Sequence, residues 1–202
     1  TDQPITKEQV NTLFAFLNDT KIVAVFATAD IHGNYIPYTS SDGKFEIGSV
    51  ARIKTVMNEV EARLGEDHVI YVDGGDSPYN TTLANVSMGN VSVDALSALG
   101  LDATVLGNHD FDYSLENLLR LRDRAQYAML SANTKFKEGK AYAGEKEYPF
   151  GDYITKEAAG LKFGIFGVTD DQSAATTLYS NTYDIEWDDD LTTAKTLVSR
   201  LK

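Results

Sequence analysis

The feature that most constrains this chain is a repeated change of texture, from apolar run to polar turn to amphipathic segment. "KIVAVFATA" (21–29) is a continuous apolar run that reads as a buried strand, and a loop-like stretch over 30–47 follows it, with Gly33, Pro37 and Gly43. "GSVARIKTVMNEVEARLG" (48–65) is apolar at Val50, Ile53, Val56, Met57, Val60 and Leu64, the spacing of an amphipathic helix, and Gly65 stops it. The pattern then returns. "HVIYVD" (68–73) predicts a strand, "GGDSPYN" (74–80) a turn, and residues 80–99 are largely helical. "ATVL" (103–106) predicts the next strand, "GNHD" its turn, and "YSLENLLRLRDR" a helix capped by Ser114. "YAMLSAN" (127–133) is a further strand. Strands and helices alternating at this pitch predict βαβ units around a parallel sheet, an α/β fold.

The flanks differ from this pattern. Residues 5–18 have helical spacing at Val10, Leu13, Phe14 and Leu17, with Thr6 as a cap, and form an N-terminal extension over 1–19. From about 135 the chain is polar, aromatic and turn-rich. That surface loop carries Phe136, Tyr142, Tyr148 and Phe150, which pack on the sheet edge or else meet a substrate or a further domain. "YITKEAAGLKFGIFGVTD" (153–170) alternates like a hairpin turning near Ala159-Gly160, and "DDLTTAKTLVSRLK" starts a helix capped by Asp189 or Asp190. With 202 residues, 43% of them hydrophobic and 24% charged, the chain can bury an ordinary core. Thirty acidic against eighteen basic residues give a net charge of -12, which argues against a nucleic-acid polymer or an anionic membrane as partner. A phosphorylated substrate stays open, because bound divalent ions reverse the local field. With no cysteine there is neither a disulfide nor a thiolate metal site. No apolar run is long enough to insert in a membrane, and Thr1-Asp2-Gln3-Pro4 is not the start of a signal peptide.

Chemistry concentrates in three turns, Asp30-Ile31-His32-Gly33, Gly74-Gly75-Asp76 and Gly107-Asn108-His109-Asp110, each following an apolar strand. In open α/β sheets sites form beyond the carboxyl ends of the strands, so the three turns can converge on one edge. Asp and His two residues apart can aim an oxygen and a nitrogen at one cation. A lone Asp on the neighbouring strand can bridge two cations, and an Asn oxygen is a neutral ligand. Mixed O and N donors without thiolate suit manganese, iron, zinc or similar divalent ions.

"ADIHGN", "VDGGD" and "LGNHDFD" resemble, in order and spacing, the first three signature blocks of calcineurin-like metallophosphoesterases of the 5′-nucleotidase / 2′,3′-cyclic nucleotide phosphodiesterase family. The resemblance spans roughly residues 20–170. It implies a layered sheet core with flanking helices, four-layered αββα in the complete family domain, of which residues 20–202 form the N-terminal part. It also implies two divalent metals (Mn, Zn, Fe, Co or Mg), Asp30 and His32 on the first, Asp76 bridging, and Asn108 on the second. His109 then faces the scissile phosphate and assists the leaving group, so that Asn108 and His109 both meet the substrate. Asp112 is the expected partner that orients His109, with Asp110 as the alternative.

The resemblance leaves part of the cage unsupplied. The family takes further ligands, mostly histidines, from downstream strands, and the one remaining histidine is His68. It begins its strand five residues before Asp73, roughly 16 Å away at about 3.3 Å per residue, and is expected to be structural. Asp170 and Asp171, after "FGIFGV", are further candidates for the vicinity of the site. The expectation is therefore a nucleotide or other small-phosphoester hydrolase whose cage is finished by a missing C-terminal half packed on this chain, the chain alone being weakly active or inactive. The alternative is a non-catalytic, phosphatase-like binding module. The resemblance also implies an extracellular, periplasmic or cell-surface location.

Overall fold

Three parallel βαβ steps carry the chain across a central sheet in the computed structural model, which describes residues 6–8, 11 and 20–202. The first half runs β1 (Ala24–Thr28), β2 (Tyr38–Thr39), β3 (Glu46–Ile47), α1 (Val50–Leu64), β4 (Val69–Asp73), α2 (Thr82–Val86), α3 (Asn90–Leu99) and β5 (Ala103–Val105). The second runs α4 (Leu115–Arg124), β6 (Ala128–Leu130), β7 (Thr134–Phe136), β8 (Tyr153–Ala158), β9 (Leu161–Phe166), α5 (Ser173–Thr176), α6 (Tyr179–Thr182), β10 (Ile185–Trp187) and α7 (Asp190–Leu201). The sheet order is β1-β4-β5-β6, all parallel, with Ala24 opposite Val69, Asp73 opposite Thr104 and Val105 opposite Leu130. Of the helix expected over 5–18, Lys7, Glu8 and Asn11 are described and helical, and the rest lies outside the described residues. No helix among the described residues is long and apolar enough to cross a membrane.

The core forms where helices cover the sheet. Tyr35, Met57, Tyr71, Leu96, Leu99 and Leu101 make one apolar cluster, between α1, α3 and β4. Phe111, Leu115, Leu118, Leu121, Met129, Phe136, Phe150 and Ile185 belong to a second, under α4. Two of the four loop aromatics are thus core residues: Phe136 and Phe150 are buried and Tyr142 leans on Phe136 at 5.3 Å, while Tyr148 donates to Asp188 (2.6 Å). The loop is pinned by Arg122, which donates to both carboxylate oxygens of Glu145 (2.7 and 2.9 Å) and to the Pro149 carbonyl (2.8 Å).

Three local readings change, and the largely helical stretch 80–99 gains a break. The apolar run 21–29 is not a buried strand: β1 lies at the sheet edge with Val25 60% and Ile22 56% exposed, because nothing described covers its outer side. Within 80–99 the helix breaks at Met88 and Gly89, both at positive φ. Gly89 there fits against Leu121 and Pro78, where a Cβ would come within 2.7 Å of the leucine. "YAMLSAN" leaves the sheet after Leu130. Ser131, Asn133 and Thr134 are fully buried and bonded instead to each other and to Thr169, and the chain turns into β7, antiparallel to β10. The loop 30–47 contains the short antiparallel pair β2–β3. The expected hairpin is present as β8–β9, with its Ala159-Gly160 turn at positive φ.

Candidate metal centre

Pairing between β1 and β4 does not stop with the strands. Gly74 N–H donates to Thr28 O (2.7 Å), Asp30 N–H to Gly75 O (3.0 Å), His32 N–H to Asp76 O (3.1 Å) and Gly33 N–H to Ser77 O (3.0 Å). The first two turns therefore leave the sheet zipped together. Buried Asp73 anchors their base: its Oδ1 accepts from Gly75 N–H, Ser77 Oγ and Thr104 Oγ1, each at 3.0 Å, and its Oδ2 accepts from the Thr28 hydroxyl. Burial pushes this carboxyl up, against the pull of those four donors.

The third turn docks on the second because Gly75 has no side chain. A Cβ there would lie 2.6 Å from Gly107 N. Asp110 closes the junction, its Oδ2 accepting from Gly107 N–H (2.8 Å) and Asp76 N–H (2.9 Å), while Asp76 Oδ1 accepts from His109 N–H (2.7 Å). Burial, with the charges of Asp76 and Asp73 behind it, pushes Asp110 up to about 7 even though the two N–H donors favour its anion. Asp110 is thus a backbone clamp, and the alternative that paired it with His109 is set aside.

The turns bring Asp30, His32 and Asp76 together, with one ligand atom of each within 4.8 Å of the others. His32 Nε2 lies 3.6 Å from Asp30 Oδ1, and Asp30 is 70% exposed. All three residues hold left-handed backbone, at φ 54, 48 and 56. Such angles cost a residue other than glycine of order 1 kcal/mol and gather where function keeps them. His32 Nδ1 is buried without a hydrogen-bond partner among the described residues, an unpaid desolvation for a purely structural histidine. Two carboxylates and an imidazole, strained into one small group, are a donor set that fits a divalent cation.

His109 stands beside this group, its ring 5.0 Å from that of His32, edge to face. Its Nδ1 pairs with Asp112 Oδ2 at 2.6 Å, so Nε2 is the nitrogen turned outward. Burial works against the imidazolium. The Asp112 hydrogen bond and charge, with Asp76 and Asp110 beyond, outweigh it and hold the pKa above the ordinary 6.5. Asp112 is itself fixed from a distant segment: Thr177 Oγ1 donates to Asp112 Oδ1 (3.1 Å) and Asn181 Nδ2 to its carbonyl (3.0 Å). Asn108 Nδ2 donates to Thr176 O (3.1 Å), which leaves the amide oxygen as its free end. No spacing rule connects residues 173–182 with a turn some sixty positions earlier.

The remaining candidates make contacts of their own. His68 sits before β4, at the opposite end from Asp73, with Nδ1 on Ile22 O at 2.7 Å. Asp170 and Asp171 are exposed and capped by Gln172, which donates through its N–H (2.9 Å) and side chain (2.6 Å).

Comparison with known proteins shows the family and the fold. The family model for calcineurin-like phosphoesterase matches residues 23–193. The 5′-nucleotidase of Bos taurus is 30% identical over 194 residues, covering 89% of this chain and 31% of the relative, and that of Vibrio vulnificus is 28% identical over 182 residues, with the same shares. This chain thus spans about a third of the length of the curated relatives it matches. Among solved structures, a 5′-nucleotidase precursor from Thermus thermophilus superposes with a TM-score of 0.73 at 24% identity over 89% of this chain and 34% of that one. A sulfate thiohydrolase from the same organism superposes with a TM-score of 0.76 at 14% identity, over 90% and 42% of the two chains. With residues 23–193 matched, the chain belongs to the calcineurin-like phosphoesterase family.

Proposed function

We propose that this protein hydrolyses small phosphate esters, most readily nucleotides of the 5′-nucleotidase or 2′,3′-cyclic type, with two divalent ions as cofactors. The observation that carries the reading is the His109–Asp112 pair set against the Asp30/His32/Asp76 group, with 5.0 Å between the His109 and His32 rings. Asp30 and His32 would hold one ion, Asp76 would bridge, and Asn108 would offer its amide oxygen to the second. Divalent ions at such a site supply neutralisation of phosphate oxygens and a water acidic enough to ionise near neutral pH. The protein's own groups do the rest. His109, protonated at Nε2 and held at Nδ1 by Asp112, gives its proton to the departing ester oxygen. The carboxylate keeps the ring in one tautomer and its pKa high enough for the acid form to persist near neutrality.

Further ligands and the nucleoside contacts would come from the remaining two-thirds that the relatives possess, packed on this chain, and turnover by the 202 residues alone is correspondingly slow. An exported or surface-attached location goes with this reading.

Calorimetric titration with manganese, alongside hydrolysis of p-nitrophenyl phosphate and a nucleoside monophosphate, tests it. Asp76→Ala should abolish metal binding. His109→Ala should keep it and lose about 100-fold or more in turnover, the range of a general acid. An Asp76→Ala variant that still takes up two ions removes the bridging role. A metal-loaded chain that is inert alone and in a polypeptide of the relatives' full length points instead to the non-catalytic module.

A further inference from the structure

Tyr79 follows the second turn and has no place in the metal group, yet its ring lies flat against the imidazole of His109, 5.5 Å between centroids and 4° between planes. Behind it stands Tyr113, 5.5 Å away at 63°. That ring is immobilised in turn, its hydroxyl donating to Asn85 Oδ1 at 2.6 Å and reaching Pro78 O at 3.4 Å. Three segments, 78–79, 85 and 113, thus build a wall with one flat face, and His109 is what rests on that face.

His109 needs such a wall. Its hydrogen bond to Asp112 fixes Nδ1 at one point in the ring plane and leaves the ring free to rock about that point. The edge contact with His32, at 73°, gives the imidazole no parallel face to lie along. The Tyr79 ring supplies one, in the offset-stacked arrangement that aromatic rings favour. An error of about an ångström at Nε2 is enough to cost catalysis heavily.

We infer that Tyr79 is a positioning residue for His109, its ring face rather than its hydroxyl holding the imidazole plane so that Nε2 points at the leaving oxygen. This inference rests on the hydrolytic reading for its consequence, but its geometric content can be measured separately.

The 202-residue chain has three histidines, so selective histidine labelling gives a spectrum in which each ring is assigned by single substitution. Stacking under a tyrosine face displaces the His109 ring-proton resonances upfield. Tyr79→Phe should leave them in place, and Tyr79→Leu should move them toward the random-coil position with the His32 and His68 signals unchanged. With p-nitrophenyl phosphate and manganese, Tyr79→Leu should lower kcat about tenfold at unchanged KM, and Tyr79→Phe should restore it. Unmoved His109 resonances in Tyr79→Leu overturn the inference, as does a Tyr79→Phe variant as impaired as Tyr79→Leu, which would place the role in the hydroxyl. A wild type with no hydrolysis of any ester, both as this chain and in a polypeptide of the relatives' full length, counts against the proposed function, and the histidine spectrum still decides whether Tyr79 holds the ring.

Discussion

Asp30, His32 and Asp76 hold backbone angles that glycine would adopt without strain, and that strain gives a prediction independent of catalysis. The Asp30 side chain is largely exposed and its recorded partner is His32, so Asp30→Gly removes little packing while relieving φ 54. Without metal this variant should melt higher than the parent, by the equivalent of up to about 1 kcal/mol. It should also lose the stabilisation that manganese gives the parent. Thermal melts with and without the ion measure both, and an Asp30→Gly protein less stable than the parent without metal removes the argument from strain. The candidate residues were legible in the sequence because each side chain that can bind a cation follows an apolar strand and a sharp turn. Tyr79, Thr177 and Asn181 were not. A tyrosine that stacks on a histidine thirty positions later carries no local mark, and Thr177 meets Asp112 only because the chain has first travelled through β6 to β9.

At the level of elements, periodicity announced what was long and half-covered. It placed α1, α4 and the β8–β9 hairpin, and it found the parallel strands by their apolar runs. Short elements outside the parallel sheet escaped, since β7 and β10 exist by pairing Thr134 with Trp187 across fifty-three positions rather than by any propensity of their own. The loop between β7 and β8 owes its path to Arg122 and Glu145, and that ion pair yields a pH dependence. The Arg122 hydrogen bond holds the Glu145 carboxyl below its ordinary 4.5. A group whose pKa is depressed on folding contributes stability that is complete above the unfolded value and lost as pH falls through the folded one. Glu145→Gln should therefore cost about 1 kcal/mol near neutral pH and progressively less below 4.5, measured as urea midpoints at a series of pH values. A constant difference across that range would mean that the side chain matters by shape and not by charge.

For the molecule as a whole, the net charge of -12 repels itself, and the acidic group at the candidate site adds to the repulsion locally. Raising sodium chloride from about 10 to 150 mM shortens the screening length from roughly 30 to 8 Å and should raise the melting temperature. Millimolar manganese at matched ionic strength should raise it further, and only in proteins that retain Asp76. If sodium chloride reproduces the whole manganese effect, the ion acts as a screen and not as a ligand.

The two margins of the central sheet are finished differently. Beyond β6 the backbone is claimed, with Ser131 N–H on Gly151 O, Gly151 N–H on Met129 O and Ala132 N–H on Gly167 O. Beyond β1 no described strand takes up the outer row of donors and acceptors, and Val25 stands exposed there. A margin that no described strand covers is a template: any extended segment that reaches it can register against it, including the same margin of another molecule. Prepared by itself, the chain should therefore associate as its concentration rises, with Val25→Lys holding it monomeric in light scattering. Equal association by the two proteins would move the sticky surface elsewhere. The same margin is where the next strand of a longer polypeptide would find its place without any rearrangement of the sheet.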